Sequence, residues 1–199
     1  ALFGVIGARD FWHSGLTPVL FLVEGALSGT ALVIFLSGLL GLLKEELYPI
    51  LGRLLLGLLG ISIILEAAEF FTGYYASIPA YSKSLQLVLT GPFWWVFWIL
   101  HVGLGVVAPL VLLLIASKQR ANILIGAGLI AVTGLTAKLN LVIAAQAVPQ
   151  FEELRMAYSG PGLNFDYFPT MVEWLLSVWI VGLVALIALA GFRLLADKP

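Results

Sequence analysis

The chain has 199 residues, of which 61% are hydrophobic and only 11% are charged, and its mean hydropathy is +1.08. Because soluble domains carry about 25% charged residues, this composition excludes an ordinary soluble domain or a disordered chain and indicates an integral membrane protein. The net charge of −1, without any basic patch, argues against nucleic-acid binding, and the absence of cysteine excludes a Cys-ligated iron–sulfur cluster within this chain.

Five apolar runs are long enough to cross a membrane, which takes roughly 20 helical residues. None of them alternates as a barrel strand would, so the predicted fold class is all-α. The first four helices are expected to form a transmembrane bundle, and the fifth is expected to be a closing C-terminal helix. The five spans lie near residues 16–43, 51–75, 92–117, 121–147 and 168–193.

The chain divides into four predicted regions. Residues 1–15 form an outer N-terminal segment, which resembles the end of a missing helix because Ala1 is not an initiator Met and the first residues are apolar. Residues 16–147 form the four-helix bundle, 148–167 an outer loop, and 168–199 the last transmembrane helix with a cytoplasmic tail. A second outer loop is predicted over residues 76–90.

Basic residues are distributed unevenly between the two predicted sides. One side carries Lys44, Arg53, Lys118, Arg120, Arg193 and Lys198, and the other carries Arg9, Lys83 and Arg155. By the positive-inside rule, the C-terminus is expected in the cytoplasm and the N-terminus outside, across the cell's inner membrane.

Ionisable residues within the spans are the main functional signal, because a charge inside the bilayer is costly and is therefore expected to have a function. These residues are Glu24, Glu66, Glu69, His101, Lys138 and Glu173. Counted along the helix axis, Glu24, Glu66, His101 and Lys138 lie at one depth, roughly 12–14 Å below the outer end of four different helices. This layer predicts a polar site that binds a quinone-like or ionic ligand, or that passes protons.

An alternative is that the charges only fasten the helices, through a Lys138–Glu66 or a Lys138–Glu24 pair. One lysine cannot neutralise three or four carboxylates, so at least one glutamate is expected to be protonated or reached by water. Asn140 and Gln146 flank Lys138 toward the outside and extend the polar layer.

Haem and metal sites are not expected. His13 and His101 could serve as haem ligands in principle, but they lie at different depths. No group of histidines and carboxylates has convincing metal-ligand spacing, and no catalytic nucleophile with a partnering base is evident.

Three sequence patterns carry a resemblance to a known family. Residues 9–14 (Arg-Asp-Phe-Trp-His-Ser), followed by residues 18–22 and 28–29, resemble the start of the second half of the NrfD/PsrC family, the membrane subunits of polysulfide-reductase-like complexes. Residues 138–146 are similar to the family's basic-x-Asn-x-Val-Ile-x-x-Gln signature, and 167–170 followed by Glu173 match its pattern before the final helix. The chain thus resembles the C-terminal half of a typical member.

The resemblance implies a fold of two related four-helix bundles, of which this chain would be the second, with a closing helix. It further implies bound menaquinone or ubiquinone, no haem, and electron exchange with an iron–sulfur subunit that docks on the outer face. That subunit would serve a catalytic molybdopterin or cytochrome subunit, and some members are thought to translocate protons. Lys138 stands where the family commonly has arginine, and a buried lysine can titrate whereas arginine cannot.

The leading hypothesis is therefore a quinone-interacting membrane subunit of a respiratory oxidoreductase complex, with no complete enzyme activity of its own. Glu66, Glu69 and His101 would handle quinone hydrogen bonds or protons, while Glu24, Lys138 and Asn140 would hold the polar network. His13, Gln146 and Glu173 are predicted supporting residues. The alternatives are a secondary transporter or ion-translocating subunit, and a structural anchor.

Overall fold

The computed structural model describes residues 11–75, 78–92, 94–115, 119–148 and 170–196. Every regular element in these ranges is helical, which confirms the all-α fold class. The elements are α1 (Leu16–Leu39), a 3₁₀ turn (Glu45–Leu47), α2 (Tyr48–Tyr75), α3 (Pro79–Thr90), a π-helix (Val96–Val107), α4 (Ala108–Ile115), α5 (Arg120–Ala147) and α6 (Met171–Ala196). The predicted outer segment and most of the outer loop, residues 1–10 and 149–167, lie outside the described residues.

Four helices in the described ranges are long and apolar enough to cross a membrane. They are Leu16–Leu39, Glu45–Tyr75, Val96–Ile115 and Arg120–Ala144, close to the first four predicted spans. The part of α6 whose side chains are described without a gap, Met171–Ile187, is apolar and shorter than a full span. The fifth transmembrane helix therefore stays a prediction.

The first helix ends earlier than the apolar run that predicts it. Gly41 has φ of 69°, in the left-handed region that glycine adopts readily at helix ends. The N–H of Leu42 then donates to the carbonyl of Ser37 at 2.9 Å, which pairs one of the last helical carbonyls. The hydrophobic residues beyond Leu39 therefore belong to the turn that leads into α2.

Residues 79–90 are not the loop that the sequence predicts but the amphipathic helix α3. Pro79 occupies its first turn, where proline costs no helical hydrogen bond. Among its described side chains, the buried ones are Tyr81, Ser84, Leu85 and Val88, which follow helical spacing and form one face. Through this face α3 packs against α2, α5 and the π-helix.

The third span changes helix type next to Pro109. It is π-helical from Val96 to Val107 and α-helical from Ala108. Proline lacks the N–H that a helical ladder requires, and the change falls beside it. Every fourth residue of this span is buried: Phe97, His101, Gly105, Pro109 and Leu113. Because π-helical bonding widens the turn, these residues stay on one face more closely than in an α-helix.

Two buried clusters occupy opposite ends of the bundle. The apolar cluster consists of Leu27, Ala31, Ile34, Tyr48, Leu55, Leu59, Leu113, Ile123, Ala127 and Ile130. The aromatic cluster consists of Phe11, Trp12, Tyr81, Leu85, Val88, Phe97 and Ala144. We name the ends after Tyr48, where α1 ends and α2 begins, and Ser14, where α1 begins and α2 ends. The polar site lies between the two clusters.

The last helix belongs to a separate compact unit, residues 166–199. Its start is a capping box: the Glu173 carboxylate accepts the Thr170 N–H at 2.6 Å, and the Glu173 N–H donates to the Thr170 hydroxyl at 3.4 Å. The Thr-x-x-Glu spacing is a sequence signal for this cap. The described contacts of Glu173 thus place it at a helix start.

Candidate functional site: a buried polar cavity

A cavity of about 50 Å³ lies among α1, α2, the π-helix and α5, and α3 contributes Tyr81 and Val88 to its wall. This volume has room for a few water molecules. All the main site residues predicted from the sequence line it: Glu24, Glu66, Glu69, His101, Lys138 and Asn140. The four of these that the sequence predicts at one depth on separate helices, Glu24, Glu66, His101 and Lys138, thus share one location.

The closest contact across the cavity joins His101 and Glu66. The imidazole Nε2 of His101 lies 2.8 Å from Oε1 of Glu66, so one proton is shared in a hydrogen bond between two groups that can each hold it. The His101 ring also packs near Phe97, with centroids 5.8 Å apart, and Phe97 packs on Phe70 at 5.4 Å. This polar pair therefore has an aromatic surface beside it.

Lys138 pairs with Glu24, which decides between the two ion pairs that the sequence leaves open. The Lys138 ammonium lies 3.7 Å from Oε2 of Glu24 and donates to the Gly134 carbonyl at 3.2 Å. The Lys138 side chain is 35% exposed and that of Glu24 is 13% exposed. The pair links α1 to α5, while Glu66 has His101 as its partner.

Glu69 is the most buried of the three cavity carboxylates, at 7% exposure. Its two oxygens accept hydrogen bonds from the Ser14 hydroxyl at 2.8 Å and from the Thr17 hydroxyl at 3.3 Å. In the described part of the chain, its side-chain partners are thus hydroxyl groups rather than a basic residue. Ser14 and Thr17 are absent from the predicted site, although both stand at the start of α1, at the level of Glu69.

Asn140 brings an unused hydrogen-bond donor to the cavity. Its amide Nδ2 is buried and has no hydrogen-bond partner among the described residues. Leaving a buried donor unpaired costs about 1–3 kcal/mol, so such a group favours a bound water or ligand that accepts its hydrogen bond.

Helix α3 contributes Tyr81 to the wall of the cavity. The Tyr81 hydroxyl donates to the backbone carbonyl of Glu69 at 3.1 Å, and its ring lies 5.0 Å from that of Phe11. Burial, and then the neighbouring Glu69 carboxylate, raise the pKa of the Tyr81 phenol above its ordinary range, so it remains a neutral donor. Tyr81 is absent from the predicted site because residues 76–90 have the sequence pattern of a loop.

The structure describes the surroundings of two of the three predicted supporting residues, His13 and Glu173. His13 is exposed and is not part of the cavity wall. Glu173 caps α6, and the Gln146 side chain lies outside the described residues. His13 and His101 therefore do not share the site.

These features define the chain as a multi-pass membrane protein with a buried polar site in its helical bundle. The chain belongs to the polysulphide reductase NrfD family, whose model matches residues 1–150. This match confirms the resemblance carried by the sequence patterns.

Two relatives are similar along nearly the whole chain. A selenate reductase subunit of Mesobacillus selenatarsenatis is 38% identical over 192 residues, covering 94% of this chain and 45% of that protein. The Hdr-like menaquinol oxidoreductase integral membrane subunit of Archaeoglobus fulgidus is 27% identical over 218 residues, covering 100% of this chain and 53% of that protein. The chain thus spans about half the length of these relatives. No solved structure matches it.

Proposed function

We propose that this chain is the quinone-interacting membrane subunit, or part of it, in a respiratory oxidoreductase complex. The observation that carries the proposal is the 2.8 Å bond between His101 and Glu66, inside a cavity walled by the rings of Phe70 and Phe97. A quinone headgroup needs this combination, because its ring is apolar and its oxygens take part in proton transfer. One relative is named as a menaquinol oxidoreductase subunit, which favours menaquinone over ubiquinone.

The residues of the cavity have distinct proposed tasks. On oxidation to a quinone, a bound quinol would give two electrons to the iron–sulfur subunit and two protons, one after the other, to the acceptor groups of the cavity. His101, held by Glu66, is placed to take a proton from a hydroxyl of the headgroup. Asn140 is placed to donate its unused hydrogen bond to a headgroup oxygen. The Glu24–Lys138 pair keeps α1 and α5 together beside these groups.

Entry of a headgroup requires the cavity to widen, since about 50 Å³ accommodates only a few water molecules. Helix α3 is the proposed moving part. It has 12 residues and is tied to α2 by the bond between Tyr81 and the Glu69 carbonyl. Displacing Tyr81 outward would open the cavity beside Phe11 and Val88.

The proposed setting of the subunit follows the family resemblance. The chain would lie in the cytoplasmic membrane with its C-terminus inside. An iron–sulfur subunit would dock on the outer face and pass electrons between the quinone and a catalytic molybdopterin or cytochrome subunit.

A purely structural role explains fewer of the observed contacts than quinone binding does. Fastening of helices explains the Glu24–Lys138 pair, which joins α1 to α5. It does not explain the buried unpaired amide of Asn140 or the His101–Glu66 pair at a cavity. A solute transporter receives no specific support from the geometry.

The experiment is to compare His101→Gln and Glu66→Gln in the complex purified from its own membranes. Glu45→Gln, at an exposed carboxylate outside the cavity, is the matched control. We expect quinol turnover to fall by about a hundredfold in both site variants, the usual effect of removing a proton-accepting group. Subunit composition should not change.

A photoreactive azidoquinone provides the second readout. It should label peptides of α2 and of the π-helix in the wild type, and excess menaquinone should suppress the labelling. Normal turnover in both site variants, together with labelling only elsewhere in the complex, would refute this function for the cavity.

A further inference from the structure

We infer that the cavity exchanges protons with only one end of the bundle, the Ser14 end, and that Glu69 with Ser14 and Thr17 forms the outlet. The inference rests on the proposed function, which makes the His101–Glu66 pair the proton acceptor. It adds the route by which that proton leaves, and it assigns a role to a buried carboxylate that quinone binding itself does not require.

The first step runs along α2, from Glu66 to Glu69. The two carboxylates are three residues apart, which is about 4.5 Å along the helix axis. Both line the same cavity, which has room for a few water molecules. A water molecule between them can carry a proton from Glu66 to Glu69.

The second step leads out of the bundle through a hydroxyl group. The Ser14 hydroxyl lies 2.8 Å from Oε2 of Glu69, and that of Thr17 lies 3.3 Å from Oε1. Ser14 is half-buried, while His13 and Gly15 on either side of it are exposed. Ser14 therefore connects the buried carboxylate to the surface. Each proton taken from the quinol hydroxyls ends in water, and Glu69 can then accept the next one.

On the opposite side, two hydroxyl groups of α5 are engaged within their own helix. Thr133 donates to the Leu129 carbonyl at 2.7 Å, and Thr136 donates to the Thr133 carbonyl at 2.6 Å. Lys138 similarly donates to the Gly134 carbonyl. These donors are bonded to the backbone of α5, so they do not continue a chain of hydrogen bonds out of the cavity.

Beyond them, the apolar cluster separates the cavity from the Tyr48 end. Along α5 it extends from Ile123 to Ile130, about 10 Å of helix. Its members are hydrophobic, and the hydroxyl of Tyr48 is the one polar side-chain group among them. The buried hydroxyl of Ser62 stands on α2 between Leu59 of this cluster and Glu66. A proton cannot cross such a layer without a continuous file of water or polar groups. The Ser14 end is therefore the side on which protons leave.

The first test uses the complete complex in vesicles in which it has one orientation, with pH dyes inside and outside. We expect protons to appear on the side of the Ser14 end when a quinol is oxidised. Glu69→Gln should slow both turnover and proton release by about tenfold or more. Azidoquinone labelling of the cavity should persist in this variant, which separates a failed outlet from a failed quinone site.

The second test uses the absence of cysteine from the chain. Glu69→Cys and, as a matched control in the apolar cluster, Ile130→Cys are treated from each side with a membrane-impermeant thiol reagent. The substituted side chain at position 69 should react from the Ser14 side alone, and that at 130 from neither side. Unchanged turnover and proton release in Glu69→Gln would overturn the outlet, as would modification at 69 from the Tyr48 side.

Discussion

Gly73 of α2 lies directly against the ring of Tyr81 of α3. A methyl group at Gly73 would overlap the ring atoms Cε1 and Cζ. The same tyrosine is buried and donates its hydroxyl to the Glu69 carbonyl at 3.1 Å. The absence of a side chain at position 73 therefore lets α3 dock beside the cavity, where it contributes to the wall.

Gly73→Ala is expected to displace Tyr81 and loosen α3. The ring is rigid and enclosed, so it cannot yield as the end of a flexible side chain would. We expect a loss of about 1–3 kcal/mol in the free energy of unfolding, typical of overpacking in a filled core. Thermal unfolding in detergent measures this loss.

The control is Gly60→Ala on the same helix, where an added Cβ has no atom within 4 Å. Because alanine favours a helix over glycine, this variant should be as stable as the wild type or slightly more stable. Equal stability of both alanine variants would mean that Tyr81 does not need the space above Gly73.

Two buried tyrosines are expected to respond oppositely to loss of the hydroxyl. Tyr48 is 1% exposed, and its hydroxyl has no hydrogen-bond partner among the described residues. Tyr48→Phe should therefore raise the free energy of unfolding by about 1 kcal/mol, whereas Tyr81→Phe, which loses the bond to Glu69, should lower it by about 1 kcal/mol. Chemical or thermal unfolding of both variants in one detergent measures the difference, and shifts of the same sign would contradict it.

The common level of the ionisable residues in the bundle could be predicted from the sequence, but their pairing could not. Position along an apolar run determines how deep a residue lies, because each residue adds about 1.5 Å. It does not determine how the helices are rotated against each other. Both Lys138–Glu24 and Lys138–Glu66 are therefore compatible with the sequence, and the tertiary contacts decide between them by placing Glu66 against His101.

Helix α3 and the π-helix could not be predicted, because the local sequence favours a different structure or carries no specific pattern. Pro79 and the polar residues near it are typical of a loop, although the spacing of Tyr81, Leu85 and Val88 is helical. The π-helix has no motif of its own. Its buried residues recur at every fourth position, a spacing that can be recognised only from the tertiary packing.

Arg120 fastens the Tyr48 end of the bundle through three contacts. Its guanidinium lies 2.9 Å from the Glu45 carboxylate, donates to the Gly38 carbonyl at 3.2 Å, and sits 5.3 Å from the centre of the Tyr48 ring. The ion pair is well exposed, at 46% for Arg120 and 71% for Glu45. We therefore expect Glu45→Gln to cost less than about 0.5 kcal/mol.

Arg120→Ala should cost more, about 1–2 kcal/mol, since it also removes the bond to Gly38 and the contact with the ring. Thermal unfolding at low and high salt separates the contributions, because salt should weaken the effect of Glu45→Gln far more than that of Arg120→Ala. Equal costs would assign the role of Arg120 to the ion pair alone.

The Lys138–Glu24 pair should show coupling in a double-mutant cycle. Lys138→Met leaves the partly buried Glu24 carboxylate without its cation, and we expect a loss of about 1–3 kcal/mol in the free energy of unfolding. Glu24→Gln should cost less, because Lys138 is more exposed and keeps its bond to the Gly134 carbonyl. The double variant should be more stable than the sum of the single effects predicts.

Lys138→Arg is the matched control for charge, since arginine keeps the positive charge and can reach a carboxylate. It should stay within about 0.5 kcal/mol of the wild type, consistent with a pair whose contribution is mainly its charge. Additive single effects would show that the 3.7 Å contact contributes no interaction energy. The Glu24 carboxylate would then be stabilised by a partner other than Lys138. Bound water is that partner in our proposal, because the carboxylate lines a cavity with room for water.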